Sequence, residues 1–397
     1  MNRLPDIQSA IRSERLDGWL LYDFRGLNPI ALRVAGIPRD RLLTRRWACF
    51  VPAEGAPRWL FHSIEIGGFR DLAPDAAVYI SWADWREGLR SLMGGASRVA
   101  MEVSPGCAIP YVSRVDAGTV DLVRSIGVEI VSSADLVQVA DAVWSPEQLA
   151  SHRRAAVAVL AVKDAAFAHV RERLAAGLVV TEAGVQDFIL TQFAARGLVT
   201  DDPPIVAVNA HAADPHYGPR RDADTPIRAG DLLLIDQFAR EDAADAIYAD
   251  ITWMAFLGSD APPRIQQVFE TVRAARDAAV AFARERICAG RAVYGYEVDD
   301  ACRGVITKAG FGPFFTHRTG HSIGTSVHYN GVNIDNLETQ DRRRLISGVG
   351  FTVEPGIYLP DEGIGVRLEI NCYVGEDDVE VTTLPLQNEL ILLQVSS

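Results

Sequence analysis

Carboxylates set inside apolar, strand-like runs constrain this chain more than any other feature. Leu232-Leu233-Leu234-Ile235-Asp236 and Ile247-Tyr248-Ala249-Asp250-Ile251-Thr252-Trp253 each place an aspartate among aliphatic and aromatic neighbours, the pattern of a buried strand. Polar residues from Arg240 to Asp245 read as a hairpin loop between them, and antiparallel pairing then brings the two carboxylates side by side. The arrangement recurs at Phe351-Thr352-Val353-Glu354-Pro355-Gly356-Ile357-Tyr358 and Gly365-Val366-Arg367-Leu368-Glu369-Ile370, with Asp361-Glu362-Gly363 as the turn. A strand-end Asp capping a turn explains one such residue taken alone. It accounts less well for pairs, because a buried ionised carboxylate is costly unless it is paired or metal-bound.

Histidines gather in the same half of the chain. Five of the eight, His211, His216, His317, His321 and His328, fall between residues 211 and 328, leaving His62, His152 and His169 elsewhere. In His317-Arg318-Thr319-Gly320-His321-Ser322-Ile323-Gly324 the His-x3-His spacing would suit a helix face. The glycines and Thr319 oppose a helix, and no Glu follows the first His as it does in zinc proteases. A loop-to-strand setting is expected, in which His321 points inward without His317 doing the same. Four carboxylates and one imidazole converging carry too much negative charge to bury uncompensated. Two divalent cations would satisfy them, and oxygen ligands with a single His suit Mn²⁺, Fe²⁺, Co²⁺ or Zn²⁺. Bridging carboxylates can hold such ions about 3.5–4 Å apart, where they generate a hydroxide nucleophile and polarise a carbonyl.

The surrounding chain divides in two. Up to about residue 145, short apolar runs (Gly18–Tyr22, Trp47–Val51, Ala77–Ile80, Val99–Val103) alternate with helical stretches such as Ile7–Leu16 and Val120–Ile126, an α/β pattern. Ser145, Pro146 and Gln148 then form a capping-box start for a helix running to Ala176 and stopping at Gly177. The expected domains are 1–145 and 146–397. In the second, helices 147–176 and 182–196 precede strands 204–208, 231–239 and 247–256. Helices 263–289 and 297–309 precede strands 322–328, 351–359, 365–374 and 379–393. Two helix-pair-then-sheet halves imply an α+β domain with a pseudo-two-fold arrangement.

With 39 Lys+Arg against 52 Asp+Glu over 397 residues, the formal charge of −13 disfavours nucleic acid and anionic lipid as partners. Five dispersed cysteines without a C-x-x-C pair give no disulfide framework or thiolate metal site. The polar N-terminus and the lack of a long apolar run point to a cytoplasmic protein without a membrane span.

Asp236, Asp250, His321, Glu354 and Glu369, in that order and with the flanks L-I-D, Y-A-D-I-T, G-H-S-I-G, V-E-P-G-I-Y and G-V-R-L-E, resemble the M24 "pita-bread" metallopeptidases: Xaa-Pro aminopeptidases, prolidases and methionine aminopeptidases. The resemblance covers roughly residues 145–395. The α/β domain in front matches the creatinase-like, two-domain aminopeptidase P and prolidase branch. It implies that Asp236 and Asp250 chelate one ion, that Asp250 and Glu369 bridge to a second, and that His321 and Glu354 complete the second. Manganese comes first among the candidate metals, with Co²⁺, Zn²⁺ or Fe²⁺ as alternatives. Glu354 would also take a proton from the attacking water. His216 and His328 match the family's two non-ligand histidines that meet the scissile carbonyl and the tetrahedral intermediate, Tyr217 is expected to bind substrate with them, and Arg367 matches an Arg ordering the metal-site network.

The implied activity is hydrolysis of peptide bonds next to proline in a small peptide or dipeptide, by a homodimer. Trp253 stands where Xaa-Pro peptidases often have Arg, the Asp236-to-Asp250 interval is longer than in many members, and Asn330 replaces an Asp of many prolidases. Hydrolysis of a non-peptide C–N bond, as in ectoine hydrolase or creatinase, is the alternative within the fold; a non-enzymatic binding module is the alternative outside enzymology. The full ligand set argues against creatinase and against the module, since both typically lack ligands. Arg343, Arg344 and the Arg41–Arg46 stretch, which could meet a substrate carboxylate, are expected to be solvated surface.

Overall fold

The computed structural model describes residues 3–38 and 40–394. Met1, Asn2, Arg39 and residues 395–397, which the expected domain ranges include, lie outside the described residues. The chain divides into two compact units, Met1–Ala142 and Val143–Ser397.

Alternation of side chains builds the first unit. Along Gly18–Phe24, Trp19 and Leu21 join one apolar cluster while Leu20 and Tyr22 join another. Arg46–Pro52 likewise sends Trp47, Cys49 and Val51 one way, Ala48 and Phe50 the other. A sheet buried on both faces follows, with strands in the order Ala77–Tyr79, Arg58–His62, Arg46–Pro52, Gly18–Phe24, Arg98–Met101, Glu129–Ser132. The helix Leu4–Ser13 covers one face through Ile7 and Ile11, and Trp82–Met93 covers the other through Trp85, Leu89 and Met93. Arg58–His62 and Glu129–Ser132 were not expected; both are short and lie partly exposed, so hydrophobic patterning scarcely marks them.

The second unit opens on the Ser145 capping box. The Ser145 hydroxyl accepts from the Gln148 N–H at 3.2 Å and the Gln148 side chain accepts from the Ser145 N–H at 2.9 Å. The helix runs Pro146–Ala175, and Gly177 follows it in the left-handed region at φ 69°. With the helix Glu182–Ala195 it packs on a five-stranded sheet centred on the hairpin Leu232–Glu241 and Ala249–Phe256. Helices Pro263–Cys288 and Gly295–Lys308 then precede a four-stranded sheet, ordered Ser322–Ile323, Gly350–Val353, Ile370–Val374, Val379–Val381. A two-stranded ribbon, Gly356–Leu359 with Ile364–Arg367, stands apart from that sheet.

Several expected strands are interrupted, for identifiable reasons. The 351–359 run breaks at Glu354-Pro355 and the 365–374 run breaks at Leu368-Glu369, where pairing passes from Val353 opposite Ile370 to Gly356 opposite Arg367. Pro355 has no N–H for a ladder. Glu354 and Glu369 therefore stand at facing breaks between two sheets rather than within strands. The expected 322–328 strand ends at Ile323, because the chain turns back and the Tyr329 N–H donates to Ser322 O at 2.9 Å. The expected 379–393 strand shrinks to Val379–Val381 and Ile391–Leu392. Between them the Gln387 side chain, not the backbone, meets the N–H and C=O of Met254 at 2.9 and 2.7 Å.

Candidate metal centre

The hairpin pairs Asp236 with Thr252 and Asp250 with Phe238. The two aspartates thus share a face as diagonal neighbours two residues out of register, not side by side as expected. Thr252 fastens the next carboxylate. Its C=O accepts the Glu369 N–H at 3.1 Å, and its hydroxyl donates to Glu369 Oε2 at 2.8 Å. The Asn371 side chain accepts the Asp250 N–H at 2.8 Å. His321 enters from the start of the strand Ser322–Ile323, its N–H donating to Thr352 Oγ1 at 2.9 Å. A β-carbon at the preceding Gly320 would lie 2.0 Å from Thr352 O, so only glycine permits this approach. His321 Nδ1 lies 3.1 Å from Ser322 O, which assigns the proton to Nδ1 and leaves Nε2 as the acceptor. That Nε2 stands 3.7 Å from Asp250 Oδ2 and 3.3 Å from Glu354 Oε1. Asp250, His321 and Glu369 each offer a ligand atom, and those atoms lie within 4.8 Å of one another.

Charge is poorly balanced here. Arg367 is bonded beside the group, with Nη2 donating to Asp236 Oδ2 at 2.5 Å, Nη1 to the Tyr358 hydroxyl at 3.0 Å and Nε to Thr252 Oγ1 at 3.2 Å. Arg367, with Arg318 acting on Glu354, faces four carboxylates, and Asp236 Oδ1, Asp250 Oδ1 and Glu369 Oε1 are buried without a hydrogen-bond partner. Burial, reinforced by the neighbouring carboxylates, holds Asp250 and Glu369 well above the ordinary carboxyl range. Burial raises Glu354 to about 7 against the pull of Arg367, and pushes His321 well down, keeping its imidazole neutral. Orphaned carboxylate oxygens around a neutral imidazole acceptor form a donor set that fits divalent cations of the Mn²⁺ to Zn²⁺ type.

The remaining expected residues take different places. His328 is exposed on one side, and its ring meets the His321 ring edge-on at 4.3 Å. The protein packed around it, together with Arg318 and His216, lowers it to about 4. His216 is exposed, on a turn where its backbone N–H donates to Asp214 Oδ1 at 3.1 Å. The Tyr217 hydroxyl is engaged with the buried Glu182 carboxylate. His317 is directed inward after all, with Nε2 2.7 Å from the Tyr358 hydroxyl, giving a chain His317–Tyr358–Arg367–Asp236. Arg343 is not solvated: it is 2% exposed and fork-bonded to Asp341, whereas Arg344 is exposed. Sequence reasoning did not single out Thr252, Thr352, Tyr358 or Asn371. Thr252 carried one signal, since alternation places it on the face of Asp250.

Residues 150–376, which include all five of the grouped acids and imidazole, match the sequence profile of Metallopeptidase family M24. The chain belongs to that family. This M24 protein is 28% identical over 365 residues to the probable dipeptidase PepE of Mycobacterium tuberculosis, a match covering 90% of this chain and 88% of the relative. It is 32% identical over 179 residues to the Xaa-Pro dipeptidase of Lactobacillus helveticus, covering 45% of this chain and 44% of that one. The crystal structure of dipeptidase PepE from Mycobacterium ulcerans superposes with a TM-score of 0.69 at 25% identity, covering 99% of this chain and 98% of that chain. The M24 protein shares with it the two-part α+β architecture, an α/β domain followed by a pita-bread domain. Among its described residues no helix is long and apolar enough to cross a membrane.

Proposed function

We propose that this M24 protein is a two-metal dipeptidase whose substrates include Xaa-Pro dipeptides. The observation that carries the reading is the set of three unpartnered, buried carboxylate oxygens on Asp236, Asp250 and Glu369, of which Asp250 and Glu369 group with His321. Asp236, Asp250, His321, Glu354 and Glu369 would hold the cations, with Mn²⁺ first among the candidates. Bound there, the pair would supply Lewis acidity toward a carbonyl oxygen and a nucleophile available at neutral pH. The dipeptidase relatives favour a short substrate over a long peptide, and the Lactobacillus relative favours proline at the cleaved bond.

The chain's own residues have distinct tasks in this reading. Glu354, held by the Thr352 hydroxyl at 3.1 Å, accepts the proton of the attacking water. Arg367 holds Asp236 in place through its Nη2. His328, whose ring meets that of His321, and the exposed His216 would supply donors to the developing oxyanion of a tertiary amide that has no N–H of its own. A panel of Xaa-Pro dipeptides, other dipeptides and Xaa-Pro tripeptides, assayed with Mn²⁺ and after chelation, tests it. Metal-dependent cleavage confined to dipeptides supports the reading. Cleavage that persists in Asp250→Ala or Glu354→Ala contradicts it.

A further inference from the structure

Glu182 is fully buried, yet it is not part of the metal centre. It opens the helix Glu182–Ala195 directly after the N-cap Thr181, where the helix dipole favours a negative charge. Oε1 accepts the Val208 N–H at 2.8 Å, both oxygens lie 3.0 Å from His211 Nδ1, and Oε2 accepts the Tyr217 hydroxyl. All three donors belong to one segment, residues 208–217. One carboxylate therefore ties down the start, the middle and the end of that segment.

The segment is fixed from two other directions. It leaves the strand Ile205–Val208, whose Ile205 pairs with Asp236 itself. It also packs on Gly365, two residues before Arg367, where a β-carbon would lie 1.8 Å from Ala212 O. Within it the rings of His211 and Tyr217 stack at 4.1 Å. The residue beside Tyr217 is His216, which is exposed and whose backbone N–H donates to Asp214 Oδ1 at 3.1 Å. Groups fixed before substrate arrives do not have to be ordered when it binds.

We propose that Glu182 is a positioning residue, which clamps segment 208–217 between the helix N-terminus and Gly365 and thereby fixes where His216 stands. The catalytic part rests on the reading above, in which His216 meets the substrate; the clamp itself does not. Full-length, Mn²⁺-loaded Glu182→Ala and Glu182→Gln proteins, each with and without His216→Ala, are compared by hydrogen exchange and by dipeptide kinetics. Glu182→Ala is expected to raise exchange in 208–217 while metal content and the helix Pro146–Ala175 stay as in wild type. It should lower kcat/KM about tenfold or more, and that loss should vanish in the His216→Ala background because both changes act through one group. Should Glu182→Ala fail to fold, His211→Ala, at a side chain 37% exposed, is expected to give the same pattern with smaller amplitude. Unchanged exchange in 208–217, or losses that simply add to that of His216→Ala, would overturn the proposal. If wild type cleaves no dipeptide, the peptidase reading fails, and the exchange measurement alone decides whether the clamp exists.

Discussion

Glu102 gives the most quantitative test of the energetics. It directly follows the strand Arg98–Met101, is wholly buried, and accepts hydrogen bonds from Trp19 Nε1 at 2.5 Å, Asn28 Nδ2 at 2.7 Å and Ser133 Oγ at 3.1 Å. None of these donors carries a charge. Burial accordingly raises its carboxyl from an ordinary 4.5 to about 7, with the three hydrogen bonds opposing. Between those two pH values the unfolded chain releases a proton that the folded chain keeps. The stability this group contributes is therefore complete below pH 4.5 and is lost as pH rises to 7. At about 1.4 kcal/mol per pH unit the loss reaches up to about 3 kcal/mol. Glu102→Gln cannot titrate. It carries a constant penalty, because its amide N–H₂ meets the Asn28 or Trp19 donor, worth about 1–3 kcal/mol. The quantity to follow is thus the difference in unfolding free energy between variant and wild type, measured by denaturant titration from pH 4.5 to 8 and localised by exchange of the amides in Gly18–Phe24 and Arg98–Met101. The difference should move in favour of the variant by up to about 3 kcal/mol across that range. Parallel curves would refute the burial argument.

Other expectations follow from the second unit. Gly365→Ala forces a β-carbon to within 1.8 Å of Ala212 O, so it should cost about 1–3 kcal/mol of stability and lower dipeptide kcat/KM; wild-type values in both assays would contradict the packing. Ser145→Ala removes one half of the capping box and should cost about 1 kcal/mol in denaturant titration, with no change in metal content. His152, wholly buried between Tyr248 O at 2.7 Å and Thr382 Oγ1 at 2.6 Å, is lowered to about 4 chiefly by burial. Its neutral form is the one folded, so stability present above pH 6.5 should be lost as pH falls toward 4, and His152→Gln should flatten that acid limb.

The legible part of this fold was legible for physical reasons. Ser145-Pro146-Gln148 is a local code, and the helix begins where it says. Asp236 and Asp250 stood out because a carboxylate in an apolar strand has few alternatives to a partner or a cation. Alternation marked Gly18–Phe24 and Arg46–Pro52, whose two faces are both buried. Other features depend on residues distant in the chain. The paired breaks at Glu354-Pro355 and Leu368-Glu369 arise from a change of sheet, which no local pattern records. The diagonal offset of Asp236 and Asp250 is set by strand register. His317 reaches Tyr358, and Arg343 reaches Asp341, through loop paths that composition does not encode. Arg343 looked like surface because long charged side chains usually are.

The central claim is that Asp236, Asp250, His321, Glu354 and Glu369 form one centre for two cations. Chelated full-length protein, equilibrated with Mn²⁺ and freed of excess, is analysed for metal per chain beside Asp250→Asn and Glu369→Gln. The account predicts about two ions in wild type and at most one in either variant, each variant keeping the wild-type fold. A wild-type protein that takes up no metal, or variants that bind as much as wild type, would contradict it.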